Sequence, residues 1–66
     1  MTIDEANRHL ISSLGTIYDE REASSITSLV MEKITGESRG LRMLHKQERL
    51  SSEQESLFRK WLGELM

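Results

Sequence analysis

The side chains that could do chemistry in this chain are two histidines and three pairs of serines, and they form no catalytic or metal-binding pattern. His9 and His45 fall on different predicted helices. Neither has a second histidine or a glutamate at the spacing with which a helix binds zinc. No Gly-x-Ser-x-Gly motif surrounds a serine, and cysteine is absent. We therefore predict no catalytic residue, no metal ligand and no cofactor-binding residue in these 66 residues.

Two glycines could suggest a phosphate-binding loop. Gly36 and Gly40 precede a predicted helix, and glycines in that position can cradle an anion. The segment has no preceding strand, however, and no Lys-Ser or Lys-Thr pair follows the second glycine. We interpret it as the end of one helix followed by a turn into the next.

The strongest chemical signal is a group of cations in residues 38–50, which hold four bases and one acid, whereas residues 1–37 hold three bases and seven acids. We call these four bases the basic cluster: Arg39, Arg42, Lys46 and Arg49. Their spacings of three, four and three would align them on one helical face if the helix continued that far. Such a face is either a solvated surface or a docking surface for an acidic partner or for phosphates, and we predict the four as partner-binding residues.

Direct binding to DNA is not expected. The formal net charge is −2, and a helix-turn-helix reader needs a recognition helix with a basic face and polar residues that reach the bases. The basic cluster offers the charge, but Gly40 and the acidic remainder of the chain argue against this interpretation.

Hydrophobic periodicity predicts an all-α fold, a small four-helix bundle with two longer amphipathic helices, one short helix and a C-terminal helix. The first helix begins at a capping box of Thr2 and Glu5 and ends at Gly15, which we expect in the left-handed conformation. The second is capped by Asp19, with Glu22 as its reciprocal partner, and ends before Gly36. The apolar stripe of the first helix is Ile3, Ala6, Leu10, Ile11 and Leu14, and that of the second is Ala23, Ile26, Leu29, Val30 and Ile34.

The third helix is predicted from Ser38 to Lys46, with Leu41 and Leu44 facing inward and Met43 at the edge. The last begins at Ser51 or Ser52, since either serine can form a capping box. Its stripe stops at Leu65 with no terminating glycine, which suggests a domain taken from a longer chain; the alternative is a natural C-terminus that frays. The predicted core consists of Ile26, Leu29, Val30, Ile34, Leu57, Phe58, Trp61 and Leu62.

Length and composition describe one small domain. Hydrophobic residues make up 36% and charged residues 30%, as in ordinary globular proteins. No apolar run is long enough for a bilayer, and residues 1–5 do not form a secretory signal, so we predict no membrane association and a cytoplasmic location.

Three segments carry a resemblance to a known family. They are Asp19-Glu20-Arg21-Glu22-Ala23, then Leu29-Val30-Met31-Glu32-Lys33-Ile34-Thr35-Gly36, then Leu50-Ser51-Ser52-Glu53-Gln54. Their order and spacing across residues 17–66 resemble the N-terminal helical domain of the bacterial protein-(glutamine-N5) methyltransferases that modify class-1 peptide-chain release factors. The resemblance implies that residues 1–66 are a substrate-recognition domain that precedes, and contacts, a catalytic domain.

In that family the catalytic domain binds S-adenosylmethionine and methylates the glutamine of the Gly-Gly-Gln motif of the release factor. Its glycine-rich cofactor loop and its Asn-Pro-Pro-Tyr motif have no counterpart in residues 1–66. The resemblance therefore implies a domain that helps to bind the release factor and is not catalytic alone. The alternative is an independent helical adaptor that recruits a partner protein through a groove between helices.

Overall fold

The computed structural model describes all 66 residues and contains four helices and no strand. The helices are α1 (Ile3–Leu14), α2 (Glu20–Thr35), α3 (Arg39–Leu44) and α4 (Ser52–Leu65). Their axes pack into a body of 28 × 23 × 16 Å. The predicted small all-α four-helix bundle is confirmed.

The helix starts follow the predicted capping chemistry closely. The Thr2 hydroxyl accepts from Glu5 N at 3.1 Å, and Thr2 N donates to the Glu5 carboxylate at 2.8 Å. Ser51 and Gln54 form the same reciprocal pair at α4, which settles the ambiguous start in favour of Ser51 as the cap. Asp19 accepts from Glu22 N at 2.8 Å, but the expected reciprocal bond from the Glu22 side chain is absent.

The two helix-ending glycines behave differently. Gly36 has φ +71° and ends α2 in the left-handed conformation, as predicted. Gly15 is right-handed, with φ −63° and ψ −14°, so the prediction of a left-handed residue there is wrong. The chain instead continues α1 as a right-handed turn, in which the amides of Ile17 and Tyr18 both donate to the carbonyl of Leu14. No reversal of the backbone is needed at Gly15.

The chain after α3 is tied to the start of α1 by backbone hydrogen bonds. Ile3 N donates to Glu48 O and Asp4 N donates to Lys46 O, each at 2.9 Å, while Leu50 N donates to Met1 O at 2.9 Å. The first two bonds satisfy amides that a helix N-terminus leaves without an intrahelical partner. They also fix residues 46–50 beside α1, which positions Lys46 next to Asp4.

The core lies between α1, α2 and α4. Eight buried apolar residues form one cluster: Ile3, Ala6, Leu10, Val30, Met31, Ile34, Leu50 and Phe58. Ile26, Trp61, Leu62 and Leu65 are half-buried against it, so most of the predicted core residues lie in or beside the cluster. Leu29 and Leu57 were predicted in the core and are instead 62% and 41% exposed.

The error at Leu29 follows from the rotation of α2. Thr27 and Met31, which the predicted stripe omits, are fully buried, so the buried face is displaced from Leu29 towards these two residues. A helical stripe can widen to either side, and the packing of α1 and α4 selects the side.

The short helix α3 is inverted relative to the prediction. Leu41 and Leu44, expected to face inward, are exposed, and Leu44 is exposed by 78%. The one buried residue of α3 is Arg42, at 6% exposure. Six residues show too little periodicity to define a face, so the sequence pattern did not indicate which side of α3 packs on the bundle.

Candidate functional site

A groove of about 540 Å³ lies between α1, α2 and α3. Three kinds of side chain line it. Polar residues lie along α1 and α2, and three members of the basic cluster come from α3 and the chain after it. Four apolar residues also line the groove: Ile3 is buried, while Ile11, Leu29 and Met43 form the walls. Its principal lining residues are Asn7, Ser24, Ser25, Ser28, Ile11, Leu29, Met43, Arg39, Arg42 and Lys46.

The basic cluster does not form one helical face. α3 ends at Leu44, so Lys46 and Arg49 lie beyond it. Arg39, Arg42 and Lys46 nevertheless converge, because all three line the groove. Arg49 is not among the lining residues; it pairs with Thr2 in an isolated β-bridge. Whether the four residues bind a partner stays a prediction, but the structure brings three of them together by a route other than the predicted continuous helix.

Arg42 is a buried cation with no carboxylate partner. Its guanidinium donates to the Glu37 carbonyl at 2.7 Å and to the Ser28 hydroxyl at 3.2 Å, and it takes part in no ion pair. The Glu37 carboxylate is nearby in sequence but binds His45 Nδ1 at 2.9 Å. Burial of an ionised group costs several kcal/mol unless a counter-charge compensates it. Two neutral acceptors compensate this charge only in part.

One nitrogen of the Arg42 guanidinium, Nε, takes part in neither of these hydrogen bonds. A guanidinium has more N–H donors than these two hydrogen bonds use. The buried side-chain polar atoms without a partner are Thr27 Oγ1 and Glu37 Oε1, and no Arg42 nitrogen is among them. Nε is therefore not fully buried, and Arg42 is in the groove lining. The side chain thus keeps the unused Nε–H group at an otherwise largely desolvated position.

The charge in the groove is positive despite the acidic chain. Asp4 is the one carboxylate in its lining, and it pairs with Arg8 at 3.0 Å. Arg39 and Lys46 form no ion pair. The lining thus holds three cations and one carboxylate, and a net positive charge in a concave surface attracts acidic ligands over a distance that salt limits to about 10 Å at 0.1 M.

The groove lining leaves apolar side chains exposed to solvent. Leu29 is 62% exposed, Met43 is 66% exposed, and Ile11, on α1, is 37% exposed. Sequence reasoning missed this surface, because it assigned Leu29 to the core and treated Met43 as an edge residue. Contiguous exposed apolar side chains beside charged ones are typical of protein-binding surfaces.

An acidic surface adjoins the groove at the start of α2. A shallower depression there is lined by Asp19, Glu20 and Arg21, and it shares Ser24 and Ser25 with the groove. The groove is therefore cationic at its α3 end and borders carboxylates at the other end. This separation of charge limits the directions in which a charged ligand would lie along the groove.

Each of the two histidines contacts a side chain from another part of the fold. The His9 ring lies 5.8 Å from the Phe58 ring, and His45 bonds Glu37. No three His, Cys, Asp or Glu side chains are grouped closely enough to hold a metal ion. The glycine segment is also structural: Gly36 ends α2, and Ser38 caps α3 by accepting from Leu41 N.

None of the four helices combines the length and the apolar character needed to cross a bilayer. Comparison with protein-family models, with curated proteins and with solved structures gives no match for this chain. The resemblance to the release-factor methyltransferases therefore stays a prediction.

Proposed function

We propose that this chain is a protein-recognition domain, the N-terminal helical domain of a methyltransferase that modifies the Gly-Gly-Gln glutamine of class-1 peptide-chain release factors. The observation that supports protein recognition is the groove, where free cations lie beside exposed apolar walls. The order of the sequence segments supports the choice of partner. The resemblance places Gly36 at the end of one helix and Ser51 at the start of another, and α2 and α4 have these bounds.

The proposed role is to bind the release factor away from the reacting glutamine. A three-residue motif offers little surface for recognition, whereas a second contact raises the effective concentration of the motif at the catalytic domain. It also holds the glutamine in the orientation that methyl transfer requires. The catalytic domain would bind S-adenosylmethionine and transfer its methyl group, and it would also contact this helical domain. The whole protein would work in the cytoplasm with the translation machinery.

Calorimetry with a class-1 release factor tests this proposal. Arg39→Glu combined with Lys46→Glu reverses two exposed groove charges, and Arg59→Glu combined with Lys60→Glu makes the same change of net charge on α4. We expect the unmodified chain and the α4 control to bind alike at low salt, and the groove variant to bind at least about tenfold more weakly, since tenfold corresponds to only about 1.4 kcal/mol. Absence of binding by the unmodified chain would contradict the proposed partner.

The second candidate, an independent helical adaptor, is favoured by the groove, because it lies between helices, where such an adaptor would bind its partner. The coding sequence after Met66 separates the two functions. An Asn-Pro-Pro-Tyr motif downstream supports the methyltransferase, and a stop codon supports the adaptor. Methylation of a release factor by the full-length gene product would then establish the activity.

A further inference from the structure

We propose that the groove binds a carboxylate side chain of a partner protein at Arg42, with apolar side chains next to that carboxylate packing between Ile11, Leu29 and Met43. The ligand would be a short segment in which Asp or Glu lies beside Leu, Ile or Met. This inference rests on the protein-recognition role proposed above and adds the chemistry of the recognised segment.

The first argument is the incomplete solvation of Arg42. It is 94% buried, it has lost most of its water, and neither of its two acceptors is charged. A carboxylate is the ligand that matches a guanidinium best, because its two oxygens can accept parallel N–H bonds. Such a ligand would supply a charged acceptor for the unused Nε–H of a side chain that lines the groove.

The second argument is that Arg42 is held in place before any ligand binds. Ser28 comes from α2 and Glu37 from the turn before α3, so the guanidinium is fixed between two elements. The Glu37 carboxylate forms no ion pair with it: one oxygen bonds His45 and the other has no hydrogen-bond partner. A cation fixed in this way loses little conformational entropy on binding.

The third argument is that apolar side chains line the same groove as this cation. Ile11 and Leu29 belong to α1 and α2, and Met43 belongs to α3, so the walls come from all three helices around the groove. Met and Leu side chains adapt to apolar ligands. A free phosphate would leave these walls exposed, whereas a peptide segment would cover them together with the charge.

Nucleic acid fits the same surface less well. Single-stranded nucleic acid is bound by aromatic side chains that stack on bases, and no Phe, Tyr or Trp lines the groove. The carboxylates of Asp19 and Glu20 at its far end would repel a phosphate backbone that continued along α2. A peptide with its acidic residue at the α3 end avoids this repulsion.

NMR titration of the isotope-labelled chain with acetyl-Leu-Glu-Leu-amide tests the inference, with acetyl-Leu-Gln-Leu-amide as the matched neutral probe. We expect saturable shifts of the Arg42 Nε–H and of the Ser28 and Met43 amides, with a Kd on the order of 1 mM for so small a ligand. The Gln probe should bind at least about threefold more weakly, because it lacks the charge. Equal shifts with both probes, or shifts confined to another surface, would overturn the proposal.

Variants assign the effect to Arg42. Arg42→Met keeps an apolar stem of similar length, removes the charge and should abolish the preference for Glu over Gln, while Arg59→Met on α4 should leave it unchanged. If Arg42→Met does not fold, Arg39→Gln with Lys46→Gln, both at exposed positions, should weaken binding of the Glu probe and leave the fold intact. Inorganic phosphate is titrated in parallel. A phosphate affinity above that of the Glu probe would identify a phosphate site and overturn the peptide as occupant.

The two proposals can fail separately. Binding of the Glu probe without binding of a release factor would keep the groove chemistry and remove the proposed partner. Binding of a release factor that is insensitive to Arg42→Met and to the Arg39 and Lys46 changes would keep the partner and refute the groove as its site.

Discussion

Met31→Ala and Leu29→Ala form a matched pair that tests how α2 is rotated in the bundle. Both residues are unbranched at Cβ, both lie in the middle of the same helix, and alanine favours a helix at either place. Met31 is fully buried in the core cluster, whereas Leu29 is 62% exposed on the groove wall. The sequence pattern favours the opposite assignment, with Leu29 in the core.

The expected effects differ widely. Truncation of a buried methionine costs about 2–5 kcal/mol, because the lost apolar contacts are followed by a cavity. Truncation of an exposed leucine changes stability by no more than about 0.5 kcal/mol. A chain of 66 residues has a free energy of unfolding of about 3–10 kcal/mol, so the Met31 variant loses a large part of its stability.

Urea denaturation followed by circular dichroism and by the fluorescence of Trp61, the only tryptophan, measures both variants. With a slope of about 1 kcal/mol/M for so small a domain, Met31→Ala lowers the midpoint by about 2 M or more, or leaves no transition. Leu29→Ala shifts it by less than about 0.5 M. Similar midpoints for the two variants, or a larger loss in Leu29→Ala, would refute the rotation of α2 described above.

Two further predictions concern the helix termini. Gly36→Ala should lower the free energy of unfolding by about 1–2 kcal/mol, because φ is +71° there. Gly40→Ala lies in the first turn of α3 with open space around it, so it should be neutral or stabilise the fold by up to about 1 kcal/mol. Equal shifts of the melting temperature in the two variants would contradict this prediction. The hydrogen bonds from Thr2 lower the pKa of Glu5 below its ordinary 4.5. The ionised Glu5 carboxylate therefore stabilises the folded chain above pH 4.5, and this stabilisation is lost as the pH falls through the lowered pKa of the folded state. Glu5→Gln should keep the capping box, as Gln54 does in α4, and melting temperatures followed into acid should fall less steeply in this variant.

The helix termini could be predicted because their chemistry is local. A capping box needs a hydroxyl and an acceptor three residues apart, and Ser51 with Gln54 meets that condition whatever packs nearby. A glycine at the end of α2 is likewise a local signal. Gly15 shows the limit of this reasoning, since the same residue type there continues a right-handed turn and its conformation depends on where the chain goes next.

The faces of the helices could be predicted only where the stripe was unambiguous. In α1 all the stripe residues except Ile11 are buried, because the spacing defined one side clearly. In α2 and α3 the spacing of apolar residues was compatible with more than one buried face, and tertiary contacts determine which face is buried. Leu29 and Leu44 are more hydrophobic than Met31 and Arg42, yet they lie outside while the latter two lie inside. No pairwise spacing in the sequence indicates that the α3 arginine finds acceptors across the chain.

Exposure of a leucine is not by itself a functional signal, since Leu57 is also exposed and does not line the groove. The groove differs because two departures from ordinary packing meet there. A charge is buried without a counter-ion, and apolar side chains beside it remain in water. A packing with the leucines in the core and the arginine in solvent would be expected to make the isolated domain more stable. A ligand with a carboxylate and apolar neighbours would relieve both costs at once, and sites where a sequence departs from its most stable packing are where function is expected.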